Sequence, residues 1–138
     1  WQQSSAQAML VIGDRAISAP LESFPVVWDL GQEWWDWTGL PFVFAMWVAR
    51  PGLELNGLED RLSEARDRGE TRLEEIAARE ASQLDLPVEV AVAYLRRNLY
   101  FRLNSAERRG LQLFHELAAG LDLAPREVDL VFRSCARS

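Results

Sequence analysis

Trp37-Thr-Gly-Leu-Pro-Phe-Val-Phe-Ala-Met-Trp-Val-Ala-Arg50 decides how this chain reads. Thr38-Gly39-Leu40-Pro41 has the composition of a tight turn. Pro41 to Val48 is then apolar at almost every position. A run that short and that uniformly apolar predicts a strand covered on both faces, as in a parallel or mixed sheet. At nine residues, Leu40 to Val48 is far too short to span a bilayer, which takes about 20 apolar residues.

Working toward the N-terminus, Gln32-Glu-Trp-Trp-Asp-Trp37 is helical in tendency, and Gly39 stands where a C-cap glycine belongs. Pro25-Val-Val-Trp28 is a second short extended candidate, leading into Asp29-Leu-Gly31. Met9-Leu-Val-Ile12 is a third, β-branched and apolar, closed by Gly13-Asp14. Arg15-Ala-Ile17 would start a short helix with Asp14 as its N-cap. Toward the C-terminus, beyond Arg50-Pro51-Gly52, the pattern turns helical. Asn56 with Glu59 resembles a capping box, and Leu58, Leu62 and Ala65 repeat at helical spacing. Gly69 interrupts that pattern. Leu73, Ile76, Ala77, Ala81 and Leu84 resume it. Pro87 suits the first turn of a further helix with Val88, Ala91, Val92 and Leu95 inward. Asn104 with Glu107 is a second capping-box candidate, opening a helix striped by Leu111, Phe114, Leu117, Ala118 and Leu121.

The fold class is therefore α/β, but unevenly so. The strand candidates all lie in the opening third, and they are too few to cover the amphipathic helices that follow. Partner strands are expected in sequence preceding Trp1. The N-terminus has no initiator Met and no basic or cleavable leader pattern. It reads as the middle of a longer protein, with poor stability expected without the rest.

Composition narrows the function classes. The chain has 138 residues, 49% of them hydrophobic, with six Trp and six Phe, which excludes a disordered chain. A net charge of −6 speaks against nucleic acid, whose phosphates require a basic face. All 15 basic residues are Arg, a bias that codon usage explains better than any functional reading. The single cysteine, Cys135, excludes an internal disulfide and, with one histidine, a Cys/His metal cluster.

Candidate chemistry gathers at two turns. Gly13-Asp14 ends the first strand candidate, and ligands of open α/β folds sit at the carboxyl ends of strands. Asp14 can hydrogen-bond a substrate hydroxyl; capping the next helix is the plainer reading, and spacing favours it. Thr38-Gly39 can present a hydroxyl and backbone N–H groups to an anion. Trp34, Trp35 and Trp37 span too much of one helix to face a single core, so core plus interface is preferred to an aromatic ligand platform. His115, beside the apolar stripe of its helix, reads as a half-exposed structural residue. Asp60, Glu64, Glu74 and Glu75 stand among Arg residues and read as solvated helix faces. No Ser/His/Asp, Cys/His, phosphate-loop or dinucleotide motif can be assembled.

Two segments carry a family resemblance. Leu10-Val-Ile-Gly-Asp-Arg-Ala-Ile17 is similar to one motif of the chorismate dehydratases of menaquinone biosynthesis. Asp29-Leu-Gly31, Trp34 and Trp37 through Arg50 resemble another, which is long and rich in rare residues. Tyr94-Leu95 and Gly110-Leu111 with Phe114 and Ala118 match more loosely. The resemblance covers the second half of a longer chain. It implies a type-2 periplasmic-binding-protein-like fold, two α/β lobes around a ligand cleft. Residues 1–50 would end the second lobe and cross the hinge, and residues 51–138 would be helices packing back on the first lobe. The implied activity is dehydration of chorismate to 3-[(1-carboxyvinyl)oxy]benzoate in the futalosine route, in the cytoplasm, with no metal or cofactor. Asp14 is then the expected catalytic residue, with Gly13, Thr38 and Gly39 binding substrate. The expected partner is chorismate, with neither nucleic acid nor membrane, and a homodimer is left open. Two other readings share the fold: a solute-binding protein without turnover, and a sister enzyme acting on a later naphthoquinone precursor.

Overall fold

The computed structural model describes residues 6–17, 19–128 and 130–132. It divides into two compact units, Trp1–Gly39 and Leu40–Ser138. In the first, α1 spans Asp14–Ile17, a single 3-10 turn covers Leu21–Ser23, and α2 spans Leu30–Thr38. In the second, α3 (Leu58–Glu70), α4 (Leu73–Leu84), α5 (Val88–Arg97) and α6 (Ser105–Gly120) follow in order.

The described residues are mostly helical and form no strand, so the α/β expectation is not met within them. Residues 9–12, 25–28 and 41–48 all lie outside helices, yet none pairs with a neighbouring strand. A strand's N–H and C=O groups point sideways and need a second strand. Among the described residues, no backbone hydrogen bond joins residues 43–48 to another segment. From Phe44 onward the side chains are exposed too, Trp47 by 83%. Apolar pattern alone thus identified a segment suited to a sheet interior without supplying the sheet.

The helices follow local chemistry more closely. In α2, the Asp29 carboxylate accepts from the backbone N–H groups of Gly31 at 2.9 Å and Gln32 at 3.2 Å, satisfying two donors that a helix start leaves unpaired. At its other end Gly39 adopts φ 66°, and its N–H donates to the Trp35 carbonyl at 2.7 Å. This left-handed closure is the one that favours glycine.

α3 differs from expectation at two points. It begins after Asn56 (φ 49°) and Gly57 (φ 76°), both left-handed, and no side chain caps it. An N-cap residue normally sits in extended geometry with its side chain over the first turn, so the Asn56–Glu59 capping box does not form. The helix also runs through Gly69 without a break and ends at Glu70, with Thr71 as its C-cap. A single glycine costs a helix only about 1 kcal/mol, too little to break a helix of 13 residues.

α4 and α5 pack against each other along small residues. Ala77 is fully buried and Ala81 nearly so, as the spacing of α4 predicted. On α5, Ala91, Val92 and Leu95 are half-buried, but Val88 is exposed. Pro87 is the N-cap, one position before the expected first turn. Arg96 of α5 donates to the Glu74 carboxylate of α4 at 2.7 Å. Arg102 bonds Asp67 at 3.0 Å and also Glu70, tying the segment after α5 to the end of α3.

The capping box opening α6 forms as expected, with the Asn104 N–H donating to the Glu107 carboxylate at 2.8 Å. Its buried positions are Gly110 and Ala119. The apolar stripe read from sequence is offset from them: Phe114 and Leu117 stay partly exposed, and Leu121, just past the helix end, largely so.

Candidate functional site

The sequence places its four site candidates in the first unit. Gly13 is exposed and left-handed at φ 67°, and its carbonyl accepts from Ala16 N–H at 2.9 Å, turning the chain into α1. Any side chain there would be strained by backbone geometry even though the space around it is open. Asp14 is the first residue of α1. It therefore sits one position past the N-cap expected for it, and its side chain lies outside the described residues.

Thr38 is the last residue of α2 and half-buried, and its hydroxyl donates to the Trp34 carbonyl at 2.7 Å. Gly39 N–H is engaged by Trp35 as described. Both groups therefore help to terminate α2. The end they form is the carbonyl end of a helix, where the macrodipole is negative. Such an end favours a hydrogen-bond donor over a carboxylate. At the opposite end of α2, Gly31 and Gln32 N–H groups are held by Asp29.

The tryptophans of α2 divide as the crowding of one helix requires. Trp34 is buried at 8% exposure, and the edge of its ring system meets Trp37 at a centroid distance of 5.8 Å and an interplanar angle of 89°. Trp35 and Trp37 are exposed, Trp37 by 71%. Edge-to-face contact is a preferred aromatic geometry, and it lets Trp37 rest on the buried ring while facing outward.

In the second unit the segment after the turn is seated on α6. A Cβ built on Gly110 would lie 2.1 Å from the Pro41 carbonyl oxygen. One helical turn later, Phe114 meets Phe42 edge-on at 5.0 Å, and Phe42 meets Phe44 at 4.8 Å. In the sequence Gly110 stood out only as part of the looser family match, Gly110-Leu111, and as a glycine inside an amphipathic helix, a position that costs stability unless packing requires it.

His115 of α6 is half-buried, and its Nε2 is buried without a hydrogen-bond partner among the described residues. It borders a shallow depression of about 290 Å³ with Gln112, Glu116 and Arg126. Arg126 is already paired with Asp122 at 2.8 Å. The expected solvated faces are as read: Asp60, Glu64, Glu74 and Glu75 are exposed, and Arg72 holds the Glu75 carboxyl below its ordinary value by direct hydrogen bonding. Cys135 lies outside the described residues.

By themselves, a glycine-pinned turn before a short helix, an aromatic-rich capped helix and an apolar segment without a partner strand name no ligand. Comparison with known proteins identifies the family. The model of the menaquinone biosynthesis family matches residues 1–120, and the chain belongs to that family. It is 36% identical over 139 aligned residues to a chorismate dehydratase of Thermus thermophilus, an alignment covering 88% of this chain and 51% of that protein. The chain therefore spans about half the length of this curated relative.

Proposed function

We propose that this chain forms about half of a chorismate dehydratase acting in menaquinone biosynthesis. The observation that carries the reading is similarity sustained across the chain, 36% identity over 88% of its length, within one family match. The reaction removes one water from chorismate and leaves 3-[(1-carboxyvinyl)oxy]benzoate. A ring proton and the ring hydroxyl depart together as water, so the equation balances without any electron acceptor.

Aromatisation drives the step, and the protein's tasks are to hold the dianion, accept the ring proton and assist the leaving hydroxyl. We assign Asp14 to contact with that hydroxyl or proton, at the start of α1 where Gly13 turns the backbone. Thr38 and Gly39 bind at the carbonyl end of α2, a position suited to a donor such as the substrate hydroxyl. The substrate's carboxylates then need cations or N–H groups from elsewhere in the protein.

The architecture that fits is the two-lobed, periplasmic-binding-protein-like fold, with residues 1–50 ending one lobe and 51–138 packing back on the other. It would supply pairing for residues 41–48 and cover for the exposed stripe of α6, and lobe closure would exclude water from the cleft. A cytoplasmic location follows from the substrate. Among the described residues, no helix is long and apolar enough to cross a membrane.

The test is incubation of full-length protein with chorismate, followed by absorbance and mass. Formation of an aromatic product one water lighter is expected. Tight binding of another solute without turnover would replace the proposal with a solute-binding role. Turnover of a later naphthoquinone precursor would replace it with the sister enzyme.

A further inference from the structure

We draw no further inference here: the strongest candidate, the unpaired apolar segment of residues 44–48 that follows the seat of Pro41 on α6, is exposed along its whole length, and nothing in the structure shows what covers it beyond the architecture already proposed.

Discussion

The Pro41 carbonyl oxygen occupies the space that a side chain on Gly110 would take, 2.1 Å from the position of its Cβ. Backbone meets backbone there, so neither partner can yield by rotating a side chain. Gly110→Ala is expected to destabilise full-length protein by about 1–3 kcal/mol, the usual cost of overpacking. Helix propensity alone would predict the opposite, a gain of about 1 kcal/mol. Gly120, near which nothing lies within 4 Å, serves as the control, since Gly120→Ala should be neutral or stabilising. Urea midpoints decide it, and a stabilised Gly110→Ala would contradict the close approach.

Gly39 presents a different problem, because open space surrounds it while its φ is 66°. Gly39→Ala should cost about 1–2 kcal/mol through left-handed geometry, and Gly39→Asn distinctly less, since Asn tolerates that region. Equal melting temperatures for the two variants would show that α2 does not close this way in the assembled protein.

Asp29→Ala should lower stability by about 1 kcal/mol by removing the cap on Gly31 and Gln32. Asp29→Asn should recover most of it. No loss on going to Ala, by thermal melting, would place the start of α2 elsewhere.

Asp14→Ala in full-length enzyme should reduce kcat/KM at least 100-fold if Asp14 is the acid or base, roughly the lower bound of such contributions. Asp14→Asn separates hydrogen bonding from proton transfer. It should keep KM and lose kcat. Near-normal kcat/KM in Asp14→Ala would remove Asp14 from the reaction.

Acid stability offers another check. Hydrogen bonding from Arg66, opposed by burial and helped by the charges of Arg66 and Arg102, holds the Asp67 carboxyl below its ordinary 3.8. Arg72 does the same for Glu75, whose ordinary value is 4.5. A depressed carboxyl contributes stability that is complete above its unfolded value and lost as pH falls through the folded one. Wild type should therefore lose stability below about pH 4.5 more steeply than an Arg66→Gln, Arg72→Gln variant. Arg72 and Glu75 are solvent-facing and Asp67 is half-exposed, so the difference should be small and should shrink near 1 M salt, where the Debye length is about 3 Å. A gap between the two proteins that does not change with pH would refute it.

Local chemistry made much of this chain legible. The C-cap at Gly39 and the Asn104–Glu107 capping box depend on groups within a few residues of each other, and both formed as read. The same logic failed at Asn56, because two consecutive left-handed residues turn the backbone away before α3 begins. The apolar stripe of α6 was visible in sequence, but its buried edge was not. Which face of a helix is covered depends on what lies beside it, and here that is the Pro41 carbonyl at Gly110. Arg102 reaching Asp67 and Glu70 across more than thirty residues was equally illegible.

Sequence by itself determined the placement of α2 to α6, the helix ends at Gly39 and Asn104, and the family, since these depend on short-range hydrogen bonding and on an unbroken wording of rare residues. It also marked residues 9–12 and 41–48 as segments suited to a sheet. Only the tertiary structure decided that no sheet forms among the described residues, that Gly110 is the contact point of α6, and that Thr38 and Gly39 close a helix at its carbonyl end. The physical reason is one of range. A helix satisfies its backbone internally, whereas a strand, a close approach or a ligand site is completed by atoms distant in sequence.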